Sequence, residues 1–410
     1  MGWLEKLAVG LLLFLAACGG DEKDKNNNPQ NVAPYGLTAR VANQNCLVSG
    51  ASGLPPTVMP GKLSDTGCFA NMVSRSPADG LVPFAVNAEL WSDGAHKERY
   101  LVLPNNETIG FRAAPDDAHP GGGWDFPIGS VLIKTFTLDF ATGGTTEAKP
   151  VETRILVKRS ANAWEGYSYK WDAAFTDADL LTSSNTTTYD LGGTTHDHYF
   201  PSPSECLQCH SQGAGFALGP KTLQMNRNFT YPSGVTDNQL RAMAHIGLFT
   251  PNSGSDRPPE LAESNIDSLP KIPDPSDANS GTVEQRARAY LYANCSHCHA
   301  PSAFMPIMDF RYDTPLYTGL PPSCVAPSDC DTNTVCVTST SSLTSTPGEV
   351  APFPTLRLKP HNANESMVWR RMKRRGAMQM PPLATFLANP VGTDLVQQWI
   401  DGLPADTRCP

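Results

Sequence analysis

The sequence has no excess of basic residues and no long apolar runs. Its 410 residues hold 31 Lys and Arg against 40 Asp and Glu, a formal net charge of −9. A chain without a basic surplus offers little to a phosphate backbone, which excludes nucleic acid as the expected partner. Its longest apolar run, Leu7 to Ala17, falls short of the ~18 residues that span a bilayer, so a polytopic membrane protein is excluded. Pro and Gly, by contrast, are abundant at 37 and 33 residues. Together they make about 17% of the chain where about 12% is usual, which points to many loops and argues against an ordinary helical bundle. A hydrophobic content of 40% still suffices for a core. At roughly 150 residues per domain, the length predicts two or three domains.

Residues 1–17 read as a signal peptide, with Lys6 ahead of an apolar run of the right length. Leu15-Ala16-Ala17-Cys18 resembles the lipobox of bacterial lipoproteins, with Glu5 beside Lys6 as the one departure. That resemblance implies that Cys18 is diacylated and begins the mature chain. Residues 18–33 carry almost no large apolar side chains and are expected to form a flexible tether. Gly19 rather than Asp after Cys18 favours the outer membrane over the inner. The expectation is an exported lipoprotein held on the periplasmic face by its lipid.

With Cys18 set aside, ten cysteines remain, and four of them form one pattern twice. Cys206-Leu207-Gln208-Cys209-His210 and Cys295-Ser296-His297-Cys298-His299 both read C-x-x-C-H, the attachment pattern of c-type haem. Two thiols on one helical turn can add to the two haem vinyl groups, and the next residue then offers its imidazole to the iron. The expectation is two covalently bound haem c groups, with His210 and His299 as proximal ligands. A Cys₄ zinc site could use the same thiols. Zinc ribbons, however, separate their pairs by about 15–20 residues, far less than the gap from Cys209 to Cys295, and zinc gives no reason for a His after each pair. Thiol–disulfide exchange would need one reactive pair in a thioredoxin-like setting, which the sequence does not supply. Of the other six cysteines, Cys46 and Cys68 are expected to pair. Cys324, Cys330, Cys336 and Cys409 would make two further bridges in one of three connectivities. Asp329, Asp331 and Asn333 hint at a calcium loop but lack the glycine and distal Glu of an EF-hand, so the stretch reads as a disulfide-bound loop.

Residues 34–200 are rich in short β-branched runs bounded by turn residues, among them 99–103, 130–136 and 154–158. They predict a β-rich, sandwich-like domain with Trp91, Trp124, Trp164, Trp171, Tyr167 and Tyr169 as packing residues. From 201 onward the pattern predicts helices over 236–246, 282–294, 363–375 and 392–403, joined by Pro-rich loops. The expected fold class is therefore α+β and multidomain. The β-rich domain is followed by a first haem segment at 201–280 and a second haem domain at 281–410, the latter mainly α-helical and cytochrome c-like. The Ser/Thr-rich stretch 337–347 reads as an insertion.

Each iron also needs a distal partner or an open face. In Gly376-Ala377-Met378-Gln379-Met380-Pro381-Pro382-Leu383, a Pro directly after Met380 would stiffen a turn that presents the sulfur to the second haem, with Met378 as the alternative. For the first haem the candidates are Met243 or His245, on roughly opposite sides of one helix, followed by Met225, His196 and His198. Methionine ligation raises a haem potential, so the second haem is expected to be the higher.

Three segments together (88–99, 204–210 and 379–383) make the mature chain resemble a family of bacterial dihaem c-type cytochrome lipoproteins. The resemblance implies two covalent haems without an established reaction. It also implies a candidate partner, since an exported parallel β-helix protein tends to be encoded nearby. The leading expectation is an electron carrier between redox protein partners, more an electron-transfer protein than a catalyst. The alternatives are a peroxidase-like dihaem enzyme with an open first haem, or the cytochrome subunit of a dehydrogenase.

Overall fold

The computed structural model describes residues 34–48, 53–114, 122–251, 258–300, 303–305, 308–312 and 357–403. Outside them lie the signal, lipid-site and tether expectations, Cys324, Cys330, Cys336, Cys409, and the stretches 329–333 and 337–347. Among the described residues, no helix is long and apolar enough to cross a membrane.

After a small hairpin of β1 (Phe69–Asn71) and β2 (Ser76–Pro77), the chain builds one antiparallel sheet. Its strands are β3 (Val82–Pro83), β4 (His96–Val102), β5 (Val131–Thr142), β6 (Thr145–Ser160), β7 (Ala163–Trp171) and β8 (Ala178–Leu181), paired in sequence order. β9 (Asn185–Asp190) and β10 (Thr195–Phe200) form a second hairpin. Strand alternation sends the two faces of the sheet to different cores. Val102, Val131, Ile133, Ile155, Val157, Tyr169 and Trp171 meet the N-terminal segment, where Cys46 and Cys68 are disulfide-bonded. On the other face, Leu101, Leu132 and Leu156 lie side by side in register. They pack with Trp124, Trp164, Ala217, Met225, Leu240 and Met243. One core thus joins the sheet to residues well past 201.

The later chain carries α1 (Pro203–Cys209), α2 (Thr222–Met225), β11 (Asn228–Thr230), β12 (Thr236–Asn238), α3 (Gln239–His245), α4 (Val283–Cys295), α5 (Met367–Lys373) and α6 (Pro390–Asp401). This corrects the expected fold class. The structure is mostly antiparallel sheet, strands hold more residues than α-helices, and only α4 and α6 exceed seven residues. The part after 201 is therefore not a mainly α-helical, cytochrome c-like region, and the β-rich part is one six-stranded meander with two separate hairpins rather than a sandwich.

The physical reason is local chemistry that stops helices early. Residues 236–238 pair with β11 as a strand, and the Asn238 side chain then caps α3 by accepting from the Leu240 N–H. Pro, Gly and Asn break the rest of the later chain into short pieces. α4 and α6 survive because both are well started, by a Thr282–Gln285 capping box and by Asn389 ahead of Pro390. The two cross closely at Gly392, where an added Cβ would lie 2.1 Å from the Tyr290 ring.

Candidate functional site

Both C-x-x-C-H segments wind as one helical turn. The His210 N–H donates to Cys206 O at 3.0 Å, and the His299 N–H donates to Cys295 O at 2.8 Å. α1 delivers the first turn, started by a capping box between Ser202 and Glu205 with Pro203 at its first position. α4 delivers the second. The two imidazoles are then fixed by the same device. His210 Nδ1 lies 2.6 Å from Phe216 O and His299 Nδ1 lies 3.1 Å from Met305 O, each a carbonyl six residues on. An Nδ1–H donated to a carbonyl fixes the tautomer and leaves the Nε2 lone pair free for a metal. Burial holds both rings neutral, His210 at about 3 and His299 at about 4. It also pushes the thiols up: Cys206 to about 11 and Cys295 to about 12. Cys209 reaches about 12, chiefly through its contact with Cys298, and the same contact draws Cys298 down.

The two turns meet. The side-chain donor atoms of Cys209, His297 and Cys298 lie within 4.8 Å of one another. Cys206 and Cys295 are not part of that group, so the four thiols do not converge as one Cys₄ site would require.

The surroundings of the two turns differ. His299 borders a pocket that is partly open to solvent and lined mainly by apolar side chains. Its walls include Cys295, Cys298, Met305, Met372 and Met380. Met380 is placed by its N–H donating to Arg371 O at 3.0 Å, and by Gln379, whose amide bridges Pro381 O and Thr385 O. Met378, by contrast, is exposed. The first turn lies on the sheet. Gly166 of β7 leaves room for Cys206, since a Cβ there would lie 2.9 Å from its sulfur.

The distal candidates for the first turn separate. Met243 is fully buried in the core that also holds Ala217, next to the carbonyl that His210 uses. Met225 is in the same core, but its sulfur already accepts from the Gln239 amide at 3.7 Å. His245 packs edge-on against Tyr35 at 5.3 Å. His198 is held by Glu152 at 2.8 Å and lies beside His196.

Several contributors were not foreseen from the sequence. Asp93 accepts the N–H groups of Phe386 and Leu387 at 2.6 and 3.0 Å, which ties the loop after Met380 to the β-rich part. Asn294, just before Cys295, accepts from the Trp91 N–H at 2.7 Å and donates to Glu89 O at 3.2 Å. Glu89 in turn bonds Arg99 and Lys97. Segment 88–99 is thus a brace touching the surroundings of both turns. The sequence singles out this segment but does not say which loops it holds. Comparison with known protein families, with curated proteins and with solved structures finds no match for this chain.

Proposed function

We propose that the chain is a dihaem c-type cytochrome, lipid-anchored through Cys18 in the periplasm, that carries electrons between redox proteins. The observation that carries this reading is the duplicated imidazole arrangement. In both turns Nδ1 is committed to a carbonyl six residues on, in a helical turn that already groups two thiols, leaving Nε2 to bind a metal. Cys206, Cys209, Cys295 and Cys298 would hold the two haems, each S–H adding across a vinyl group to leave a thioether. A haem iron held in this way supplies reversible one-electron exchange between Fe(III) and Fe(II). The methionine-walled pocket beside His299 supports Met380 as the second distal ligand. The burial of Met243 beside the first turn's layer supports it over His245. The contact of Cys209 with Cys298 supports direct electron passage between the two groups. A net charge of −9 would steer the protein to basic partners, with rates falling as salt rises, and an exported β-helix protein is the candidate to try first.

The same contact favours one other reading. Cys209, His297 and Cys298 offer two sulfurs and a nitrogen, a donor set that suits a bare zinc or copper ion. The deciding experiment is export of the full chain in a haem-maturing host, followed by a pyridine haemochrome assay, metal analysis and EPR. Two covalent haems per chain, low-spin and indifferent to carbon monoxide and peroxide, would uphold the carrier. A high-spin haem that binds either ligand would move the reading to an enzyme. Stoichiometric zinc or copper without haem would overturn it.

A further inference from the structure

The sheet face that carries the first turn has a charge pattern that packing does not explain. Register places Arg99 of β4 opposite Lys134 of β5, and Lys134 opposite Arg154 of β6. Three cations therefore stand side by side on one face, between the leucine row of residues 101, 132 and 156 and the row holding Lys97, Phe136 and Glu152. Like charges directly opposite in a ladder are unfavourable, and burial makes them more so. The side chains of Lys97 and Arg99 are only 4% and 6% exposed.

Two carboxylates partly offset this. Glu89 serves Lys97 and Arg99 at one end of the row, and Glu152 takes Arg154 and His198 at the other. Lys134, in the middle, is left over. Among the described residues its ammonium makes neither hydrogen bond nor ion pair, and its one ring neighbour is Phe136 at 5.7 Å. Four basic side chains against two carboxylates leave the layer with an excess of positive charge, and burial beside Arg99 and Arg154 draws Lys134 down to about 7, so it keeps its proton fully only when an anion joins it. That layer faces the first turn: Arg154 is within electrostatic reach of Cys206 and Cys209, and Lys134 of His210.

We propose that Arg99, Lys134 and Arg154 form a carboxylate-binding site beside the first C-x-x-C-H turn, and that it receives the two propionate groups of the haem held there. This rests on the haem reading. The chemistry matches in number and kind, since two carboxylates would balance the two surplus basic side chains and give Lys134 the partner it lacks. A free carboxylate-bearing small molecule is the other source of the same chemistry.

The test uses the exported full-length protein and its Lys134→Gln and Lys134→Arg variants, with haem content, redox titration and sodium succinate as the added probe. If the site holds propionates, Lys134→Gln keeps both haems but one midpoint falls, because a lost cation disfavours the reduced iron. The expected fall is about tenfold in the reduced-to-oxidised ratio at fixed potential, about 59 mV for one electron. Lys134→Arg restores it, and succinate has no effect. If a free carboxylate is the ligand, succinate shifts the wild-type spectrum saturably and the response vanishes in Lys134→Gln. Unchanged midpoints together with indifference to succinate would overturn the site. Should the wild type carry no haem, the carrier reading fails by itself. The site is then judged on the haem-free chain by whether succinate raises its melting temperature in a Lys134-dependent way.

Discussion

The turn ending in His210 lies on a β-sheet face where a row of three cations adjoins the leucine row it packs on, whereas the turn ending in His299 opens on a pocket walled by methionines. The backbone of each turn and the anchoring of each imidazole are nearly the same. What differs is what stands around them, and surroundings set the behaviour of a metal group once its ligands are fixed. One motif used twice thus meets a charged sheet face in one case and a largely apolar pocket in the other, and on the proposed haem reading electrons need not occupy the two equally.

The sharpest break of this comparison removes one turn at a time. On the proposed haem reading, Cys206→Ala/Cys209→Ala and Cys295→Ala/Cys298→Ala should each lower the haemochrome yield from two haems per chain to one, and the two products should differ in midpoint potential. Next in size is Met380→Ala. Loss of the thioether should lower the potential of the second haem alone, on the order of 100 mV within the roughly 0.8 V that axial ligands command. An equal change in the first haem in redox titration would contradict the assignment.

Gly392→Ala should act on the second region only, by driving a methyl group into Tyr290 where α4 meets α6. Overpacking of this kind costs about 1–3 kcal/mol, to be read from the urea midpoint. Asp93→Ala leaves the Phe386 and Leu387 N–H groups without their acceptor, and a loss of about 1–2 kcal/mol is expected. Its second signature is a disturbed Met380 with an undisturbed first haem.

The smallest effect belongs to the first region and is a pH dependence. Burial alone would raise the Glu152 carboxyl, but Arg154 and His198 outweigh it and hold the group at about 2, below its ordinary 4.5. A depressed carboxyl stabilises the fold fully above its unfolded value, and that contribution fades as pH falls from about 4.5 towards about 2. Glu152→Gln should flatten stability across that window in acid-titration denaturation curves.

Much of the candidate site can be picked out in the sequence because its residues are local. C-x-x-C-H packs two thiols and an imidazole into five consecutive residues, and Met380 is marked by the prolines that follow it. The strands were legible for the same reason: 99–103, 130–136 and 154–158 fall largely on β4, β5 and β6. The helical content of the later chain was overestimated, because apolar periodicity around 236–246 and 363–375 says nothing about the strand pairing and caps that shorten those helices. The cationic row was hidden because register is non-local. Lys134, flanked two residues either side by Leu132 and Phe136, was the one clue, a charge in the alternation where an apolar residue was due. His297 gave none, since nothing near it in sequence says that Cys209 will lie beside it.

The bond from Asp93 to the loop after Met380 also has a consequence in time. It joins positions 293 and 294 residues apart, and Trp91 reaches Leu387 across 296. Contacts that distant close slowly, and they must wait until nearly the whole chain is present. The sheet and the first turn can assemble from the earlier residues, but the wall bearing Met380 can be fastened only when the last ones arrive. A product cut short before the last few dozen residues would therefore keep one half of its machinery and never acquire the other.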